Sequence, residues 1–232
     1  GDLGRSFIQS RPVKNIIMEN LLPSIKLAIA GIFVSLICGI PAGIFAALNQ
    51  DTWIDHLAMG FALIGISAPS FWLGLALIFV FSGILGWFPT SGTGGIKTLV
   101  LPAFAFGLYG AGYLARFTRS SILEEKNKEY VNTARAKGLR ESIVNLRHVL
   151  RNSLLPIITV AGVLVGYAVG GMVIVEIVFG RQGIGHVLIN AIKRKDFVLV
   201  QGLFLLYVTL FCNINLIVDL LYAYIDPRIR YD

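Results

Sequence analysis

A chain of 232 residues that is 56% hydrophobic and only 14% charged, with a mean hydropathy of +0.75, carries more apolar surface than a soluble domain can bury. Its formal net charge of +7 would suggest nucleic acid as the partner of a soluble protein, but the charges here flank long apolar runs, so lipid headgroups and partner subunits explain them better. Those runs are continuous and not alternating, which excludes a membrane β-barrel.

Residues 1–24 read as a polar, amphipathic, solvated lead-in carrying Arg5, Arg11 and Lys14. Intervals free of Lys, Arg, Asp and Glu then cover 27–50, 56–96, 98–115, 152–175 and 197–218. A helix needs about 20 apolar residues to cross a bilayer, so each interval suits one span, the second being long enough to add a loop. The first span, 25–48, holds Gly31, Gly39 and Gly43, which let helices approach closely in lipid, and Pro41, which should kink it. After a short polar loop at 49–56 comes the second span, 56–84, with Ser67, Pro69, Ser70, Phe71 and Trp72 in its middle. Pro69 should free a carbonyl there, which is tolerated only where it is buried or faces water. Ser67, Pro69 and Ser70, with Asn213 of the last span, are therefore candidates to line a pathway; a plain packing kink is the competing reading. Residues 86–95 form a turn-rich loop in which Trp87 and Phe88 suit an interfacial aromatic belt.

The third span, 98–115, should continue as a helix beyond Arg116 toward Leu123. It leads into the basic interval 116–151, which by its Lys and Arg content is cytoplasmic. Within it, Asn132, Thr133, Ala134, Arg135, Ala136 and Lys137 read as a short helix of small and basic residues stopped by Gly138 in a left-handed conformation. A second amphipathic segment follows Leu139, with Ile143, Leu146, Val149 and Leu150 on one side and Arg140, Arg147 and Arg151 on another. This is the pattern of a docking element. Ala134 and Ala136 would present little bulk to a groove, Arg135, Lys137 and Arg140 would orient it, and Ile143 and Leu146 would hold the second segment to the chain's own face.

Pro156 opens the fourth span, 152–175, where Gly162, Gly166 and Gly170 fall on one face as a flat helix contact. The segment 180–196 combines a Gly-rich turn, a short helix through Lys193 and a basic end of Lys193, Arg194 and Lys195. The last span, 197–225, carries Asn213, Asn215 and Asp219, and a tail at 226–232 follows. Alternation puts 1–24, 86–97 and 180–196 outside, and 49–56 and the tail inside, so the basic triplet stands against the positive-inside rule. Five spans leave the two ends on opposite sides, which a sixth span ahead of this sequence would correct.

Little of this is catalytic. The thiols of Cys38 and Cys212 should be buried in different spans, and His56, His148 and His186 fall in separate polar segments, which argues against one metal site. No Gly-rich loop followed by Lys-Ser/Thr is present, so this chain should not hydrolyse ATP itself. Glu176 and Asp219, ionisable at or within spans, suggest function by default, but structural roles fit better.

Seven motifs in one order carry a resemblance: GDLGRSF near the start, SAPSFWLGLALI at 67–78, LGWFPTSG at 85–92, YLARFTRSSILE at 113–124, YVNTARAKGL at 130–139, LRNSLLPIITV at 150–160 and VDLLYAYIDPRIRY at 218–231. Together they resemble the dipeptide/oligopeptide/nickel branch of ABC-importer permeases, with 129–156 as its EAA loop. Asn132 and Thr133 stand where the general loop pattern has Glu and Ala, and the Leu-Pro comes later after the glycine, as is usual in that branch. The resemblance implies an all-α integral membrane protein, a bundle of five transmembrane helices here and six with a preceding span, of the type I importer permease kind, in the prokaryotic inner or plasma membrane. It implies half of a pathway shared with a homologous permease, and an external solute-binding protein whose acidic rim would meet Lys193, Arg194 and Lys195. It also implies two cytoplasmic ATPase subunits, which hold ATP and Mg and grip residues 132–140; no cofactor is expected in this chain. The expected solute is a di- or oligopeptide, with nickel or a metal chelate as the alternative. A secondary transporter would want midplane ionisable groups and internal repeats, and neither is evident.

Overall fold

The structure, a computed structural model, describes residues 2–225. Among them nine α-helices follow one another, with no named strand and one isolated bridge between Arg5 and Pro12. They are α1 (Val13–Leu48), α2 (Trp53–Ser67), α3 (Ser70–Leu77, running on as a π-helix over Ile78–Ile84), α4 (Lys97–Lys126), α5 (Glu129–Ala136), α6 (Glu141–Ile143), α7 (Arg151–Val178), α8 (Ile184–Lys193) and α9 (Phe197–Ile225). A second π-helix, Val144–Leu150, joins α6 to α7 without a break. Four helical stretches, Val13–Leu48, Lys97–Lys126, Glu141–Gly166 and Phe197–Val218, are long and apolar enough to cross a membrane, and α2 with Ser70–Ile84 makes a fifth if that bent pair counts as one.

Several expectations are corrected. The second span is not one helix: α2 and Ser70–Ile84 meet at 111°. Pro69 explains the break, since it lacks the N–H that would continue the ladder and sits at φ −58°, ψ 140° as the extended residue before α3. The lead-in is not simply solvated either. Helix α1 begins at Val13, and Val13, Ile16 and Ile17, spaced for one helix face, are buried against Ile184, Leu188, Leu199 and Leu203. Pro41 lies within α1's 36 residues without ending its helical run. The glycine face of α7 is only partly used: a Cβ at Gly166 would come 2.9 Å from Asn215 Oδ1, whereas Gly170 is exposed with nothing within 4 Å. Cys38 is half-buried and Cys212 exposed, so neither thiol is enclosed within the chain.

The contacts divide the chain into two compact units. One comprises the chain up to Phe33, Ala68–Gly107 and Val165–Ile217. Its core has two apolar clusters, one around Val13, Ile184 and Leu203 and another around Leu27, Leu101, Val175 and Phe179. Here Glu176, fully buried, accepts from the Ser24 hydroxyl at 2.5 Å and from the backbone N–H groups of Gly185 and His186 at 2.9 and 3.2 Å. Those N–H groups belong to the first turn of α8, which has no helical acceptor of its own, so the carboxylate is a structural anchor for that helix. Gly183 packs so tightly on Glu176 that a Cβ would collide with its carboxyl group. The side chain of Asp219, the other ionisable group singled out, lies outside the described residues, as does Arg228.

The other unit comprises Val34–Ser67, Leu108–Leu164 and the chain from Val218. In lipid, helix pairing rests on close packing, because burying an apolar side chain there removes it from hydrocarbon and not from water. The glycines supply that packing. A Cβ at Gly39 or Gly43 of α1 would come 2.6 or 2.5 Å from the carbonyl oxygens of Ala111 and Ala115 on α4. One at Gly65 of α2 would come 2.6 Å from the carbonyl of Leu108, and one at Gly112 of α4 would strike that of Ala62. Helix α4 is thus in backbone contact with α1 on one side and α2 on another.

Candidate functional site

The docking element is built on the end of α4. Helix α5 begins after the turn at Asn127 and Lys128, where Lys128 pairs with Glu125 at 2.6 Å and is the extended residue before the helix. It ends at Ala136, and Gly138 takes φ +76°, with its N–H donating to the carbonyl of Arg135 at 2.9 Å. That conformation strains any residue with a side chain, so the expected helix–glycine–helix plan is present.

Which side chains face inward differs from expectation. Ala134 is 5% exposed and lies with Val131 in an apolar cluster formed by Ala47 of α1, Ile122 of α4, and Val144 and Val149 of the π-helix. Leu146, expected to face inward, is 69% exposed, and Ile143 is exposed as well. The cause is the ladder. An α-helical phase would align Ile143, Leu146 and Leu150, but in a π-helix the backbone bonds join residues five apart, and Val144 and Val149 have that spacing. Arg135 is also committed within the chain, its Nη2 donating to Glu141 at 2.9 Å and its Nε at 3.2 Å.

A second fastening lies at Tyr130. Its hydroxyl donates to the Glu125 carboxylate, accepts from Asn152 Nδ2 at 2.8 Å and lies 3.1 Å from the His148 carbonyl. Burial, and then the Glu125 hydrogen bond, push this phenol above its ordinary value, so it remains protonated and able to donate. A cavity of about 180 Å³ opens beside it, lined by Phe117, Ser120, Ser121, Glu124, Glu125, Lys128 and Pro156. One face of the element is therefore bound to its own chain. The other presents Asn132, Thr133, Ala136, Lys137, Gly138, Leu139 and Arg140 to solvent.

The remaining candidates are carried by several elements. Ser67 and Pro69 are exposed and Ser70 half-buried, all at the break between α2 and α3. Asn213 is exposed on α9, its Nδ2 turned back onto the Thr209 carbonyl at 2.7 Å. Lys193, Arg194 and Lys195 are exposed where α8 ends, Lys195 at φ 57°. Two acids escaped the sequence reading. Asp196, beside the basic triplet, is 1% exposed and accepts from the Ser6 hydroxyl and the backbone N–H groups of Phe7, Ile8 and Leu199. Asp55, next to His56, is gripped by Arg119. Arg119 stands in the basic stretch of α4 that follows Arg116, 64 positions from Asp55, so no local pattern announces the pairing.

Compared with known proteins, residues 39–231 match the family model described as binding-protein-dependent transport system inner membrane component. The whole chain is 42% identical to a relative from Brucella abortus named as a peptide transport system permease protein, of which it covers 76%. It is equally 42% identical, over 76% of that protein, to the glutathione transport system permease protein GsiC of Escherichia coli K12. Among solved structures it resembles a chain of the MetNI methionine ABC transporter in an inward facing conformation, with a TM-score of 0.76 at 16% identity, covering 91% of this chain and 96% of that one. A chain from an amino acid ABC transporter with histidines gives 0.74 at 14% identity, over 91% of this chain and 94% of that one. At such identities the likeness speaks for the fold alone.

Proposed function

Since the chain belongs to the family of binding-protein-dependent transport system inner membrane components, we propose that its 129–156 segment couples the pathway to ATP hydrolysis on partner subunits, and that the solute is a di- or oligopeptide. The chain is a multi-pass inner-membrane permease subunit of an ABC importer. In the proposed assembly a homologous permease completes the pathway, an external binding protein delivers solute, and two cytoplasmic ATPase subunits hold ATP and Mg. This chain contributes no ATPase site. The names of relatives 42% identical favour peptide as the solute over nickel or a metal chelate.

The observation that carries the coupling role is the two-faced build of the docking element. Its inner face is fixed through Val131, Ala134 and Tyr130, while Ala136, Gly138 and Leu139 stand exposed at a bulk-free helix end. A partner's groove can receive that end, and force on it passes to α4 instead of bending the loop. Ala136→Trp tests this, since it adds bulk at an exposed helical position without demanding a new backbone. Ala134→Trp would instead overfill the chain's own core. Ala136→Trp should insert normally yet retain roughly a tenth or less of the ATPase subunits on co-purification, a loss of at least ~1.4 kcal/mol in docking. Gly138→Val should do the same with added strain at positive φ. Wild-type retention and uptake in Ala136→Trp would mean that the element lies on lipid headgroups and does not couple.

A further inference from the structure

The docking element has an evident route into α1 and α4, but helix α2 needs a separate one. Ala47 of α1 and Ile122 of α4 share the apolar cluster with Val131 and Val144, and Lys126 Nζ donates to the Ala47 carbonyl at 3.2 Å. Helix α2 has no residue in that cluster, and the chain joins it to α1 through the short turn after Leu48. What ties its first turn to the base is Asp55. This carboxylate is 2% exposed and takes two hydrogen bonds from one guanidinium, Arg119 Nε to Oδ1 at 2.7 Å and Nη2 to Oδ2 at 2.6 Å. The backbone N–H of Asp51, itself at φ 61°, donates to Oδ2 at 3.0 Å, so the same side chain also fixes the α1–α2 turn. Arg119 lies on α4 one turn from Ile122, and α2 packs along α4 through Gly65 and Ala62 toward its end at Ser67.

Building on the reading of 129–156 as the ATPase-docking element, we propose that Asp55 and Arg119 are positioning residues for the transport stroke. Their ion pair makes the first turn of α2 move with the base of α4, so that nucleotide-driven displacement of the docking element reaches the Ser67 end of α2. An ion pair with an enclosed carboxylate and a partly exposed guanidinium is a poor device for stability alone, because well-packed apolar residues of similar volume often serve as well. What a bidentate pair adds is direction, a single geometry in which two planar groups mate. An apolar pair at the same place would still pack but would slide.

The test uses the assembled complex with its ATPase subunits, in a background where Cys38 and Cys212 are replaced by serine and Ser67→Cys is the reporter. The rate of reaction with a water-soluble maleimide is measured without nucleotide and after vanadate trapping. With Asp55 and Arg119 intact, the two rates should differ by about fivefold or more, the low end of typical coupling between sites. In Asp55→Leu/Arg119→Met the ATPase subunits should stay bound while that difference disappears, and Arg119→Lys, which keeps one charged contact, should recover part of it. An undiminished difference in the apolar pair overturns the proposal, as does equal reactivity of the reporter in both states of the complex with the pair intact. Loss of the ATPase subunits from both variants would also overturn it, since the pair would then shape the docking face itself. Failure of the complex with the pair intact to retain ATPase subunits would instead sink the docking reading on which this rests.

Discussion

Asp196 shows how one buried acid can organise a surface. Burial opposes its ionisation, but the Ser6 hydroxyl and the backbone N–H groups of Leu199, Ile8 and Phe7 outweigh it and hold the carboxyl below its usual range. With the folded value below the unfolded one, the stabilisation is present above an unfolded pKa of about 3.9 and is lost as pH falls through the folded value. We predict that the turn at Phe7 and Ile8 loosens on acidification below about pH 4, and that Asp196→Asn loosens it already at neutral pH. Amide exchange at Phe7 and Ile8, corrected for the intrinsic rate, measures both; unchanged protection in Asp196→Asn would count against this latch. The residue was visible in sequence only as the acid after Lys193, Arg194 and Lys195. Its main partner is 190 positions away, and no local pattern announces such a pairing.

At the scale of helices, what lipid dictates locally was legible and what neighbours dictate was not. Charge-free intervals located the spans because the bilayer acts on each segment by itself. The break at Pro69 was half legible, because a proline announces a lost donor but not whether the helix bends or restarts at 111°. The glycine contacts were harder. Gly162, Gly166 and Gly170 have the more regular spacing, yet Gly39, Gly43, Gly65 and Gly112 are the ones that bring α1 and α2 tightly against the backbone of α4. Spacing defines a face, and only the fold supplies a neighbour for it. Gly43→Leu should therefore destabilise by about 1–3 kcal/mol or more through overpacking, whereas Gly60→Leu, with nothing within 4 Å, should be nearly neutral. Thermal unfolding in detergent compares the two, and equal midpoints would show that α1 and α4 separate at little cost. The docking element gave the same lesson, since the π-helical register that turns Leu146 outward and Val144 inward is not written in apolar spacing.

For the whole molecule, the proposed external face carries its own test. Lys193, Arg194 and Lys195 stand exposed beside the latch at Asp196, and an acidic rim on a binding protein would complement them. Reversing all three charges should slow association by roughly tenfold or more and flatten its salt dependence, with a smaller effect on dissociation. Surface-plasmon kinetics at two ionic strengths measures this; an unaltered salt slope would assign the triplet to lipid headgroups. The glycine contacts of α4 bear on the working of the molecule in another way. Joints made by interdigitating side chains have play in them, because rotamers hop on the pico- to nanosecond scale and absorb small shifts. Where the Gly39, Gly43, Gly65 and Gly112 positions bring backbone against backbone, few rotamers stand between the two helices to take up slack. A displacement of α4 across its axis is then handed to α1 and α2 with almost no backlash, as between meshed gears, while sliding of α2 along α4 is left to the Asp55–Arg119 pair to check.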